Sequence, residues 1–117
     1  MNSHRRLVAW NAARRLVGVV YRITEALPPR ESYVAKPQLR RAVWSVPNNI
    51  AEGNAKRGKA ERRRFYDAAL GSLAEVDSMV GTLPDLYEVD PNLIAKIEQL
   101  RRQITAGIFH MLRRGRQ

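Results

Sequence analysis

The second apolar segment of the chain, residues 39–53 (LRRAVWSVPNNIAEG), keeps a helical spacing of apolar residues across a proline. Val43, Val46 and Ile50 fall on one side of a helix drawn at about 100° per residue, and Pro47 lies inside that pattern. A proline in a helix interior removes a hydrogen bond and clashes with the preceding turn, at a cost of about 3 kcal/mol or more. The helix should therefore be kinked at Pro47, and neighbouring helices must hold it in place.

Three other segments repeat apolar residues at the same helical period, and turn signals separate them. Pro28-Pro29 is expected to end the first helix, and Gly53 is expected to end the second. Pro84 and the polar residues after it should separate the third helix from the fourth, which Asp90 should cap. The expected helices span residues 4–26, 37–53, 60–83 and 91–112.

Four amphipathic helices joined by short loops predict an all-α fold, an antiparallel up-down four-helix bundle that forms one domain over residues 1–117. Ser3 is the candidate cap of the first helix. Gly71 and Ser72 interrupt the third helix, at a cost of up to about 1 kcal/mol relative to alanine. We attribute this pair to the close approach of a neighbouring helix.

The first helix carries two adjacent apolar faces. One face includes Val17 and Tyr21, and the other includes Leu16, Val19 and Ile23. A surface helix of a monomer needs a single apolar stripe. We therefore expect copies of the chain to associate through Leu16, Val19 and Ile23; the alternative is that this helix is central within its own bundle.

A polar stripe on the second helix lies away from its apolar face. Arg41, Ser45, Asn48 and Glu52 form it, and Trp44 borders it. Arginine, tryptophan and hydrogen-bonding side chains are typical of interfaces. We predict a subunit or ligand contact here, with a solvated face as the alternative, and we expect Glu52 to pair with a cation of another helix or subunit.

The stretch VPNNIAEG, followed by RRFYDAALGSLAEV, closely resembles the bacterial four-helix-bundle family named for open reading frames in ribosomal-RNA intervening sequences. The accessory protein of diversity-generating retroelements is a relative of that family. The resemblance runs from LVAWNAA to the last helix, and RRAVWSVPNNIAEG is its most specific part. Family members often have a serine cap where this chain has Gly58-Lys59. The resemblance implies a ring of five bundles, and a nucleic-acid or reverse-transcriptase partner.

The net charge of +10 is unevenly distributed along the chain. Residues 1–53 carry +6, residues 54–64 carry +5, residues 65–100 carry −6 and residues 101–117 carry +5. Positive charge therefore gathers in the first half, in the second turn and in the C-terminal segment. An excess of this size favours a polyanionic partner.

The basic residues of the second turn are the strongest candidate for a functional surface. In an up-down bundle this turn shares one end with both chain termini, and we call that end the basic pole. Arginine forks bind phosphate bidentately, so we predict sequence-independent contact with the backbone of RNA or DNA; solubilising charge is the alternative. The basic cluster comprises Lys56, Arg57, Lys59, Arg62, Arg63 and Arg64, and Arg5, Arg6, Arg113, Arg114 and Arg116 are expected to join it at the basic pole.

Patterns for catalysis or metal binding do not occur in the sequence. His4 and His110 lie near opposite ends of the chain, and there is no Glu-x-x-His, HExxH, Walker or GxGxxG motif. We therefore expect no enzyme activity, no metal and no cofactor. The chain has no cysteine, which fits the cytoplasm. It also has no apolar run typical of a membrane span or signal peptide.

The sequence thus predicts a cytoplasmic, non-enzymatic, homo-oligomeric bundle whose basic pole binds nucleic acid as an accessory to a nucleic-acid enzyme. The alternative is a protein-interaction scaffold that recruits a partner through the acidic segment 65–100 or through the Trp44 stripe. Binding to unrelated oligonucleotides that weakens steeply with salt separates the two, because phosphate contacts release counterions.

Overall fold

The computed structural model of the chain describes residues 3–114, except for the side chains of Ser3, Arg5 and Arg114. Four long helices follow one another, and one turn of 3-10 helix lies between the first two. The prediction of an all-α four-helix bundle is confirmed, whereas the predicted Ser3 cap falls on a side chain outside the described residues. The helices are α1 (Ser3–Glu25), α2 (Ala35–Ala55), α3 (Lys59–Leu86) and α4 (Pro91–Arg114).

The bundle is closed by contacts between its first and last helices. Each helix packs against its neighbours in the chain, and α1 also packs against α4. At one end, the Tyr87 hydroxyl donates to Glu31 Oε2 at 2.5 Å, and the Arg30 guanidinium lies 5.1 Å from the Tyr87 ring centroid. These contacts join the α1–α2 loop to the α3–α4 loop at the end opposite the basic pole.

Helix α1 is covered by helices of its own chain. Leu16, Val19 and Ile23 are 0%, 8% and 1% exposed, because α2 packs on one side of α1 and α4 on another. The prediction that these three side chains form a subunit contact is therefore wrong, and the central position of α1 explains its two apolar faces.

In the described part of the chain, α1 and the other helices all lack a stretch long and apolar enough to cross a membrane.

The sequence predicted the start of α4 correctly and the end of α3 incorrectly. Asp90 Oδ1 accepts a hydrogen bond from the backbone N–H of Asn92 at 2.8 Å, which confirms the predicted cap. Pro84 was expected to end α3 but lies inside it, and the N–H of Tyr87 still donates to the Leu83 oxygen at 2.9 Å. Pro84, Asp85 and Leu86 are all exposed, so this backbone bond, and not burial, supports the last turn of α3.

Helix α2 continues through Pro47, which is buried. One turn of this segment has additional hydrogen bonds: the Asn49 side-chain amide donates to the backbone oxygen of Ser45 at 2.8 Å and to its Oγ at 2.9 Å. The Ser72 hydroxyl of α3 donates to Ser45 Oγ at 2.7 Å. A neighbouring helix thus holds α2 beside the proline, as expected, while the kink itself stays a prediction.

Two glycines permit close helix contacts, and Gly71 is not one of them. Gly71 is exposed, and a Cβ added there meets no atom within 4 Å, so the expected close approach at this residue is wrong. A Cβ on Gly53 would lie 2.6 Å from Tyr66 Cε1, and one on Gly107 would lie 3.1 Å from Ala9 Cβ. Gly53 was expected to end α2 but lies inside it. Its missing side chain leaves room for Tyr66 of α3, which packs directly against the Gly53 backbone.

Candidate nucleic-acid interface

The start of α1 and the α2–α3 turn meet at one end of the bundle. Arg6 Nη1 donates to the backbone oxygen of Asn54 at 3.2 Å, which joins the first turn of α1 to the last turn of α2. The C-terminal half of α4 lies against the same part of α1, through the Gly107–Ala9 contact. The topology expected for the basic pole is therefore present.

Arg62 holds the turn between α2 and α3. Its Nη1 donates to the backbone oxygens of Lys56 at 3.2 Å and Arg57 at 2.5 Å. Carbonyls at a helix C-terminus have no intrahelical donor, and this guanidinium supplies one. Arg62 is half-buried and was predicted as a nucleic-acid ligand; the structure gives it a role in shaping the turn.

The other cations of the basic cluster face solvent to different extents. Lys56 is half-buried, and the remaining four are exposed: Arg57, Lys59, Arg63 and Arg64. Exposed, fully charged groups remain hydrated and free to reorient, so they can approach a phosphate at little cost. These four are the members of the basic cluster that best suit a ligand surface.

Two cations of the cluster make weak ion pairs. Arg63 Nε lies 3.8 Å from Asp67 Oδ2, and Lys56 Nζ lies 3.8 Å from Glu52 Oε2. Solvent-exposed pairs of this kind contribute at most about 1 kcal/mol, so a phosphate could replace either carboxylate easily. Glu52 therefore has a cation within its own helix, and the expected partner from another helix or subunit stays a prediction.

An aromatic ring lies among these cations. Lys56 Nζ is 5.3 Å and Arg64 Cζ is 4.9 Å from the centroid of the half-buried Phe65 ring. Cation–π attraction holds both positive groups near the ring. Rings beside basic groups are the arrangement on which single-stranded nucleic acids stack their bases.

The first turn of α3 is electrostatically unfavourable for folding. Lys59 and Arg62 lie at this helix N-terminus with one carboxylate, Glu61, and the N-cap Gly58 makes no side-chain cap bond. A helix N-terminus is its positive end, so each cation there costs about 0.3–1 kcal/mol. A bound anion would offset that cost.

The C-terminal arginines lie partly outside the described residues. Arg113 is exposed and lines a groove between α1 and α4 together with Arg15. Arg114 is the last residue of α4, but its side chain, like those of Arg5 and Arg116, lies outside the described residues. The predicted binding roles of these three arginines therefore stay predictions.

Tyr66 holds the α2–α3 turn from the side of the hydrophobic core. Its side chain is 1% exposed, and its hydroxyl donates to Asn54 Oδ1 at 2.6 Å. Burial raises the pKa of Tyr66 above the usual value of 10.0, and the positive charges of Arg6 and Arg62 oppose that rise in part. Sequence reasoning missed this bond; the signal that could have found it is that a buried tyrosine hydroxyl needs a partner.

The Tyr66→Phe variant is expected to lose about 1 kcal/mol of unfolding free energy at pH 7, because the Asn54 oxygen loses its donor. The raised pKa means that the unfolded state of the wild type ionises first, so wild-type stability falls as pH rises above about 10. The variant has no ionisable group there, so its deficit should shrink at pH 11. Urea denaturation at both pH values measures this, and an equal deficit at both would contradict it.

The exposed tryptophan of α2 belongs to a small aromatic surface. Trp44 is 49% exposed, and its Nε1 donates to the Tyr21 hydroxyl at 2.9 Å. The Arg40 guanidinium lies 4.2 Å from the Tyr21 ring centroid. Sequence reasoning did not place Tyr21 and Arg40 beside Trp44, because the pairing of α1 with α2 decides it.

The polar stripe of α2 divides between the surface and a helix contact. Arg41, Asn48 and Glu52 are exposed, as Trp44 is. Ser45 is half-buried and bonds to Ser72 of α3, and its assignment to a subunit interface stays a prediction. Assignment of the exposed residues to such an interface stays a prediction.

A family model described as 23S rRNA-intervening sequence protein matches residues 5–110. The chain belongs to this family. The resemblance seen in the VPNNIAEG and RRFYDAALGSLAEV stretches is thereby confirmed. The match includes the whole basic cluster and stops before Arg113. No curated protein matches the chain.

Proposed function

We propose that this member of the 23S rRNA-intervening sequence protein family is a non-enzymatic cytoplasmic protein that binds the phosphate backbone of nucleic acid at its basic pole. The observation that carries the proposal is the exposure of Arg57, Lys59, Arg63 and Arg64 in the α2–α3 turn and the start of α3, with Arg64 beside the Phe65 ring. The helix N-terminus at this surface adds to the positive potential. An anion bound there would offset the folding cost of Lys59 in the first turn of α3.

Backbone contacts of this kind carry affinity without sequence specificity. The turn presents cations and one aromatic ring, and no recognition helix projects from it into a groove. The family description names 23S rRNA, so RNA is the first ligand to test. A role as accessory to a reverse transcriptase or another nucleic-acid enzyme belongs to the same proposal and rests on the sequence resemblance.

The proposal is tested by titrating the protein into fluorescent 20-nucleotide RNAs of unrelated sequence at several salt concentrations. Four to six phosphate contacts predict a slope of about −3 to −4 in log affinity against log salt. Different sequences should bind with similar affinity. Absence of binding at about 50 mM salt, or a slope near zero, would contradict phosphate contact.

We further propose that the protein is a homo-oligomer, with the exposed Trp44, Arg41 and Asn48 side chains in the contact. Aromatic and arginine side chains exposed together favour such an interface, and the family resemblance suggests five copies. Five chains of 13.4 kDa would form a particle of about 67 kDa. Light scattering measures this mass, and a 13.4 kDa particle at high micromolar concentration would contradict assembly.

The second candidate function is a protein-interaction scaffold without a nucleic-acid role. The exposed Trp44 ring beside Tyr21 and Arg40 favours it, because tryptophan, tyrosine and arginine supply most binding energy in protein interfaces. Two results together would favour this function over the first. The affinity for RNA would not depend on salt, and a Trp44→Ala variant would lose binding to a protein partner.

A further inference from the structure

A second positively charged surface follows the groove between α1 and α4. Two adjacent cavities, of about 650 and 450 Å³, share Arg15 as a lining residue. On α1 the lining extends from Val8 to Arg22, a distance of about 21 Å at 1.5 Å per residue. The groove is therefore long enough to hold three to four turns of another helix.

Small and apolar residues line part of the groove, together with the polar Asn11, Asn92, Gln103 and His110. Ala12 and Gly18 contribute from α1, and Leu93, Ala106 and Gly107 contribute from α4. A Cβ added to Gly18 meets no atom within 4 Å, so the groove is open at that point. Small residues let the backbone of a third helix approach closely, and apolar residues accept the apolar face of an amphipathic helix.

The sides of the groove carry cations that the bundle does not neutralise. Arg15, Arg22, Lys96 and Arg113 line the two cavities, and each is exposed. None of the four forms an ion pair with another residue that the structure describes. The lining residues of both cavities include no aspartate or glutamate. The groove thus combines small and apolar residues with four cations and no carboxylate.

We propose that this groove binds an acidic amphipathic helix of a partner protein, with small apolar side chains on its inner face and carboxylates along both edges. Charge complementarity identifies the occupant, because four unpaired cations lie among small and apolar residues. Nucleic acid fits less well, since no phenylalanine, tyrosine or tryptophan lines either cavity and bases would have no ring on which to stack. The proposal goes beyond the function assigned to the basic pole and does not depend on it.

A second copy of this chain is a poorer match than a separate acidic helix. Its best candidate segment is the acidic outer face of α3, but two carboxylates there already have cations. Asp67 pairs with Arg63 at 3.8 Å, and Asp77 pairs with Arg101 at 3.3 Å. At most three of the five α3 carboxylates fall within any stretch of about 21 Å of that helix, fewer than the four cations of the groove. A separate acidic helix therefore matches the groove better than a second copy does.

The test uses the full-length protein and a fluorescent 18-residue helical peptide with alanine and leucine on one face and glutamate along both edges. A Gly18→Leu variant fills the groove at its open point without disturbing the fold, because nothing lies near that Cβ. We expect this variant to weaken peptide binding about tenfold or more, as loss of a central contact does. An Arg15→Gln, Lys96→Gln variant should weaken it by a similar factor.

Two controls make the result specific. Gly71→Leu is the same change at an exposed glycine of α3 that also has no atom within 4 Å of an added Cβ, and it should leave binding unchanged. A peptide of identical composition with scrambled order should bind at least about tenfold more weakly, because its charge is kept while its apolar face is lost.

Three outcomes would overturn the proposal. The first is equal binding of the scrambled peptide, which would reduce the groove to a nonspecific basic surface. The second is RNA binding that Gly18→Leu abolishes, which would assign the groove to nucleic acid. The third is a homo-oligomer that Gly18→Leu dissociates, which would assign it to a second copy. Each outcome differs from failure of the basic-pole proposal. That proposal is tested by RNA binding of a variant that lacks the charges of Arg57, Lys59, Arg63 and Arg64.

Discussion

The Gly53→Ala variant is expected to be about 2 kcal/mol less stable than the wild type, although alanine is the better helix former. Its Cβ would lie 2.6 Å from Cε1 and 2.8 Å from Cδ1 of Tyr66, and 3.3 Å from Cβ of Phe65. The Tyr66 ring is buried and bonded to Asn54, so it has no free direction in which to move. Overpacking costs about 1–3 kcal/mol and strain on the hydroxyl bond adds about 1 kcal/mol. Together they exceed the gain of about 1 kcal/mol in helix propensity.

The matched control is Gly71→Ala, the same methyl group added at an exposed glycine of α3. Nothing lies within 4 Å of that position, so we expect about 0.5–1 kcal/mol of stabilisation from helix propensity alone. Urea denaturation followed by circular dichroism measures both variants. If Gly53→Ala is as stable as Gly71→Ala, the close α2–α3 contact at Gly53 is wrong.

Removing the exposed charge of the basic cluster is expected to weaken RNA binding about 100-fold at moderate salt. Each of four lost phosphate contacts removes its counterion release, so the salt slope should also fall by about 3. Arg62 is left in place because it bonds to the carbonyls of the turn, and its loss would confuse misfolding with lost binding. The variant carries Arg57→Gln, Lys59→Gln, Arg63→Gln and Arg64→Gln.

The matched control removes the same net charge from the remainder of the bundle. It should bind RNA within about threefold of the wild type, because distant exposed charges are screened over about 10 Å at 0.1 M salt. Equal weakening in both variants would show that net charge, and not the basic pole, binds RNA. Thermal unfolding of each variant checks that the fold is intact. The control carries Arg15→Gln, Arg22→Gln, Lys96→Gln and Arg102→Gln.

Local signals predicted the helices well and their ends unevenly. The Asp90 cap was predictable because the bond from Asn92 N–H to its carboxylate involves residues two apart. The end of α3 was not, because the helix continues past Pro84 to Leu86 and is closed by the bond from Tyr87 N–H to the Leu83 oxygen. The role of Gly53 was also hidden, since the residue that excludes a side chain there belongs to another helix.

The candidate site divides in the same way. The basic cluster was visible as a run of cations in residues 54–64, and its place at the basic pole followed from helix order. The sequence did not show which arginines of the cluster stabilise the turn and which remain available for a ligand. Arg62 and Arg63 are adjacent in sequence, but only Arg62 reaches the carbonyls of the turn, because a helix directs successive side chains about 100° apart.

The sequence by itself determined the four helices, their antiparallel order and the separation of positive from negative charge, because period and charge depend on residues near in the chain. The tertiary structure alone decided which apolar faces were already covered. Leu16, Val19 and Ile23 looked available for a partner until α2 and α4 were found packed on α1. It also decided that the α1–α4 groove stays open and basic, since burial depends on neighbours that the sequence does not place.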